Sequence, residues 1–162
     1  FVFLVNGMNV MSVVYCLMTS ALLVLSVIDW RTFEIPFGIN VFLGILGIVA
    51  VVLDKGEWLN HVIGAVCVSG FLLLLYLLSK GRAIGGGDIK LMAACGLLLG
   101  WQKSILAFLL GCIVGSVIHL FRMKISKEGH VLAMGPYLAA GIFLAALFGG
   151  QWIHWYLDAL GI

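Results

Sequence analysis

Apolar runs of nearly the length needed to cross a lipid bilayer recur along the chain, the first complete one covering residues 10–28. A helix needs about 20 residues to traverse roughly 30 Å of hydrocarbon, since each residue advances it about 1.5 Å. One such run would be an anchor and a signal peptide would not repeat, so the repetition predicts an all-α, polytopic membrane bundle. Composition agrees: 64% of the residues are hydrophobic and 10% charged, against about 45–50% and roughly 25% in a soluble domain.

Spans are expected at 10–28, 36–53, 58–78, 88–100, 104–121 and 132–148, about six transmembrane helices. Pro36 lacks an N–H and biases Ile35 away from helix, which sets the start of the second. The fourth is short: its 13 residues rise only about 20 Å, so its first residue, Asp88, is expected to sit recessed. Residues 1–9 read as the end of an upstream helix and a linker, and the chain as a piece of a longer one. Residues 10–162 form the transmembrane domain. The aromatic cluster from Gln151 to Tyr156 suits a membrane interface.

If successive spans cross, alternate loops share a side. One side then carries Arg31, Lys80, Arg82, Lys90, Arg122, Lys124 and Lys127, the other only Lys55 and Lys103. The positive-inside rule makes the first side cytoplasmic. Asp29, the loop before Asp88 and the entry to the Gly135-Pro136 helix all fall there, so the two aspartates can meet.

Ionisable side chains at membrane depth are expensive and usually face a cavity or a partner. Two carboxylates brought close cannot both ionise easily; one holds a proton while the other acts as a base toward water. Such a pair requires no metal and no nucleophilic side chain. Taken singly, Asp29 can equally be an interfacial partner of Arg31, and Asp88 a cap of the fourth helix. Gly85, Gly86 and Gly87 carry no Cβ and let backbone approach a ligand or an extended peptide, although a glycine triplet alone is a weak signal. Lys90 either tunes a carboxylate and orients substrate or snorkels to the interface.

The segment from Asp29 to Ile35-Pro36, then Gly85-Gly86-Gly87-Asp88-Ile89-Lys90-Leu91, then Met134-Gly135-Pro136-Tyr137, closely resembles the peptidase domain of bacterial type IV prepilin peptidases. These are membrane aspartyl proteases of the GxGD class. The resemblance covers nearly the whole chain and implies removal of a short basic leader from prepilins or pseudopilins at the cytoplasmic face of the inner membrane. It implies Asp29 and Asp88 as the catalytic pair and the glycine loop and the Gly135-Pro136 element as functional; Pro36 and Lys90 are further candidates for substrate contact. Many relatives carry Asp or Asn after the loop proline where this chain has Phe37. Bifunctional members also have an upstream methyltransferase portion with a paired-cysteine zinc motif, which does not stand in these residues. Phe1 to Val5 resembles the end of the joining helix, and methylation is not assigned to this chain.

A presenilin-like or signal-peptide-peptidase-like enzyme ranks second, since those pair GxGD with Pro-Ala-Leu and Tyr-Asp elements where this chain has Gly135-Pro136-Tyr137 and Ile28-Asp29. A non-enzymatic transporter or assembly factor using the aspartates for protons or cations is the different class. The expected partners are a prepilin-type substrate and the lipid bilayer. A net charge of +2 does not point to nucleic acid. Cys16, Cys67, Cys95 and Cys112 stand in apolar runs without metal-ligand spacing, and the four histidines lie in different segments. No metal or cofactor is expected in this chain.

Overall fold

In the computed structural model, which describes residues 2, 7, 9–81, 84–125 and 134–161, the apolar runs become α-helices and no strand forms among those residues. The order is α1 (Val10–Thr32), α2 (Phe37–Leu53), a 3-10 turn (Lys55–Glu57), α3 (Trp58–Leu78), α4 (Gly86–Leu99), α5 (Trp101–Ile125) and α6 (Gly135–Leu160). The partial helix expected in residues 1–5, Arg82 and the hydrophilic stretch 126–130 lie outside the described residues, as does the expected start of the last span at Leu132.

Four segments are long and apolar enough to cross a membrane: Val10–Thr32, Lys55–Leu78, Trp101–Phe121 and Gly135–Ala159. Phe37–Leu53 is apolar but shorter. The 14 residues of α4 rise only about 21 Å, so it is packed among its neighbours and does not cross on its own length. Several boundaries move from those expected, and α5 gains residues at both ends, Trp101–Ile125 against 104–121. α1 runs on past Asp29 to Thr32, stopping where Phe33 turns left-handed (φ 55°) and its N–H donates to the Asp29 carbonyl. α4 starts at Gly86, because its glycines occupy a first turn that packs closely. α6 continues through the aromatic cluster to Leu160, with no breaker before Gly161.

Missing side chains set the helix contacts. A Cβ on Gly64 of α3 would strike the backbone of Gly96 and Gly100, and one on Gly96 would strike that of Gly64 and Ala65. Likewise a Cβ on Gly141 of α6 would fall on the Ala107 carbonyl and Gly111 amide of α5. Small residues are what allow helices in lipid to approach closely, where apolar burial gives no net drive. α3 is also pinned to the α4–α5 junction by polar groups. His61 Nδ1 lies 2.8 Å from the Leu97 carbonyl, and Asn60 Oδ1 accepts the Trp101 amide at 3.0 Å. Gly100 between them has φ +80°, a conformation costly for other residues.

These contacts fix depth. α3 and α4 run antiparallel with Gly64 opposite Gly96 and Asn60 opposite Gly100, which brings Asp88 level with Leu72, six residues before α3 ends at Leu78. Six residues of helix are about 9 Å. Asp88 is therefore recessed below the rim formed by its neighbour.

Candidate active site

The site forms where the α1–α2 connection, the start of α4 and the start of α6 come together. Asp29 stands three residues before the end of α1 and is 4% exposed. Its Oδ2 accepts a hydrogen bond from the backbone N–H of Gly135 at 3.0 Å. That N–H is free because the opening residues of a helix have no intrahelical acceptor, and the carboxylate lies at the positive end of the α6 dipole. A Cβ at Gly135 would stand 2.6 Å from Asp29 Oδ2, so the absence of a side chain there is what allows the approach. The partner of Asp29 is thus Gly135 and not Arg31.

Asp88 is 7% exposed in the first turn of α4, outside the four segments of spanning length. Gly85 is the N-cap, and the Asp88 amide donates to its carbonyl at 3.2 Å. Burial pushes the Asp88 carboxyl up to about 6, and the negative charge of nearby Asp29 pushes the same way, while the Gly85 backbone N–H opposes both. The two carboxylates, 59 positions apart in the chain, therefore act on each other in one buried place.

A Cβ on Gly87 would meet the Ile35 side chain at 2.9 Å, so that glycine seats the α1–α2 connection against α4. A Cβ at Gly85 would lie 3.1 Å from Asp88 Oδ2, whereas one at Gly86 would meet open space. Pro36 is the N-cap of α2. Lys90 is exposed, with its Nζ 5.4 Å from the centre of the Phe37 ring. Pro136 lines a cavity of about 340 Å³ between α1 and α6, together with Thr19, Ser26, Ala139 and Phe143. Asp29, Asp88, the glycine loop and Gly135 are brought together; Lys90 turns instead toward Phe37.

Among the described residues, two further buried polar side chains have no hydrogen-bond partner: both amide atoms of Asn40 and the hydroxyl of Tyr137. The sequence reading did not single out Asn40. Its only signal there is a carboxamide inside an otherwise apolar helix.

Residues 16–120, which include both aspartates, match the type IV leader peptidase family. The chain belongs to that family. Curated relatives named prepilin leader peptidase/N-methyltransferase include one from Aeromonas salmonicida, 37% identical over 109 residues covering 62% of this chain and 37% of the relative. One from Pseudomonas putida is 34% identical over 159 residues, 90% of this chain and 53% of the relative. One from Bacillus subtilis is 30% identical over 146 residues, 88% of this chain and 58% of the relative. This leader peptidase family chain thus spans well under two thirds of the relatives' own length. No solved structure matches it.

Proposed function

We propose that this chain is a membrane aspartyl endopeptidase that removes the short basic leader from type IV prepilins or pseudopilins at the cytoplasmic face of the inner membrane. The observation that carries the reading is the pairing of Asp29 and Asp88 in one buried site, with the Asp29 carboxylate fixed by the Gly135 amide. The reactive form of the dyad holds a single proton, because two carboxylates so placed resist ionising together. Asp88, the group held up by burial and by its neighbour's charge, carries it; Asp29, whose carboxylate accepts the Gly135 N–H, takes a proton from water. The resulting hydroxide adds to the scissile carbonyl while Asp88 protonates the developing oxyanion. Return of a proton to the leaving amine then completes the cut. Membrane placement suits such a substrate, because the apolar segment after the leader satisfies its own backbone as a helix in lipid. The basic leader meets an acidic pair.

Co-expression with a prepilin, followed by determination of the mature N-terminus, tests the reading. Wild type should yield the cleaved form, and Asp29→Asn and Asp88→Asn should each lose cleavage while still inserting into membranes. Normal processing by either variant removes that aspartate from the mechanism.

A further inference from the structure

We propose that the groove between α1 and α6 is the docking site for the first turns of the apolar helix that follows the leader in the substrate. The proposal rests on the peptidase reading and deepens it, by naming the face of the bundle that receives the substrate. The groove encloses about 340 Å³, with Thr19, Leu23 and Ser26 of α1 on one side and Pro136, Ala140 and Phe143 of α6 on the other. An occupant can reach it: Leu23 is 65% exposed, and the other five are each partly exposed.

One end of the groove meets the dyad. Pro136 follows Gly135, whose amide holds the Asp29 carboxylate, and Ser26 stands just under one turn before Asp29 on α1. Leu22, also in the groove wall, is seven residues before Asp29, which returns it to within about 20° of the same helix face. From Ser26 to Thr19 the groove runs from about 4.5 Å to about 15 Å beyond Asp29 along the axis. A second groove, between α1 and α2, is lined by Ser20 and Val24 of α1 and Gly38 and Phe42 of α2. Val24 is turned about 140° from Asp29 around α1, so that groove faces away from the carboxylate. The proposed cut separates the leader from the apolar segment, so the surface that holds this segment has to begin at the dyad. Of the two grooves, the one between α1 and α6 does.

The lining selects a helix. Thr19 and Ser26 donate their hydroxyls to the Tyr15 and Leu22 carbonyls of their own helix, each at 2.7 Å, which leaves the wall apolar toward an incoming chain. An extended strand would gain no backbone partner from these hydroxyls, whereas a helix in lipid satisfies its own N–H and C=O groups. Thr19, Ser26, Ala139 and Ala140 are small, and small residues let one helix backbone approach another in a bilayer. A lipid acyl chain has no backbone to bring close.

The test uses the full chain in proteoliposomes with a full-length prepilin. In Asp88→Asn, expected to leave the substrate uncut, a benzophenone side chain is placed in turn at Leu23, at Phe42 in the α1–α2 groove and at Leu109 on α5, all exposed positions. Leu23 lies about 9 Å beyond Asp29 along α1, so irradiation should join it to the prepilin about six residues after the cut. The other two positions should give no such adduct. As a second readout, Ala140→Leu fills the groove and should raise KM for prepilin about 10-fold or more, with kcat little changed, the pattern of a lost docking contact. If A140L does not fold, the Leu23 adduct decides alone. Prepilin adducts at Phe42 in place of Leu23, adducts at Leu23 with lipid only, or an unchanged KM in folded A140L each overturn the docking assignment and leave the peptidase reading standing. Failure of the unsubstituted chain to cut prepilin takes down both.

Discussion

At Asp29 a backbone amide does what a charged partner does elsewhere, and Gly135 is therefore the residue most sensitive to a single methyl group. In Gly135→Ala the new Cβ would lie 2.6 Å from Oδ2 and 2.9 Å from Cγ of Asp29, forcing the carboxylate off its donor. Prepilin cleavage by G135A should fall at least about 100-fold through kcat, as expected when a catalytic group is displaced by as little as 1 Å. Gly150→Ala on the same helix meets nothing within 4 Å and should cleave normally; equal rates for both would detach Gly135 from the dyad. Asp88 supplies a pH test with a definite sign. Its folded carboxyl titrates near 6 against about 3.9 unfolded, so the stabilisation it gives through its proton is complete below pH of about 3.9 and is lost as pH rises through 6. Asp88→Asn should consequently unfold at higher temperature than wild type at pH 8, by on the order of 2–3 kcal/mol, with the gap closing toward pH 4. A gap independent of pH contradicts the buried, proton-holding role. Both aspartates were legible in the sequence because an acid in an apolar setting stands out. The N–H that holds Asp29 was not, since every residue but proline has one. Asn40 went unseen because a lone amide in an apolar helix gives no pattern to read.

At the level of helices, glycine positions separate into those that touch another backbone and those that touch nothing. Gly64→Ala and Gly96→Ala drive a methyl group into the facing main chain, which no rotamer can relieve. Each should destabilise the protein by about 1–3 kcal/mol, the usual cost of overpacking. Gly44→Ala in α2 meets open space and should instead stabilise by up to about 1 kcal/mol through helix propensity. Thermal unfolding in detergent ranks the three, and a G96A protein as stable as G44A would refute the close α3–α4 contact. The helices themselves were readable from apolar runs, with α3 expected at 58–78 and found as Trp58–Leu78. Ends were harder. Polarity was taken as a stop at Asp29, and the last span was expected to close at Phe148, yet both helices run on until the backbone is made to turn. Phe33 and Gly161, both with positive φ, make those turns. In α4 the glycines suggested a loop, whereas close packing on Ile35 rewards a helix that begins among them.

For the molecule as a whole, charge and site predict one orientation. The end that gathers Asp29, Asp88 and Gly135 also carries Arg31, Lys80 and Lys90, while Lys55 and Lys103 lie toward the other. Lys and Arg near the ends of spanning helices favour the cytoplasm, and the basic leader of the proposed substrate would be retained on that side for the same reason. If the chain cuts that leader as proposed, the end with the two aspartates and the basic end have to coincide. Single cysteines in a variant lacking Cys16, Cys67, Cys95 and Cys112 make this measurable in intact cells with a membrane-impermeant maleimide. Gly56→Cys and Asp158→Cys, at exposed positions on the far end, should label from outside. Glu34→Cys, exposed beside the site, should label only after the membrane is opened. Labelling of Glu34→Cys in intact cells would put the aspartates on the face away from the leader, and the proposed reaction would lose its substrate.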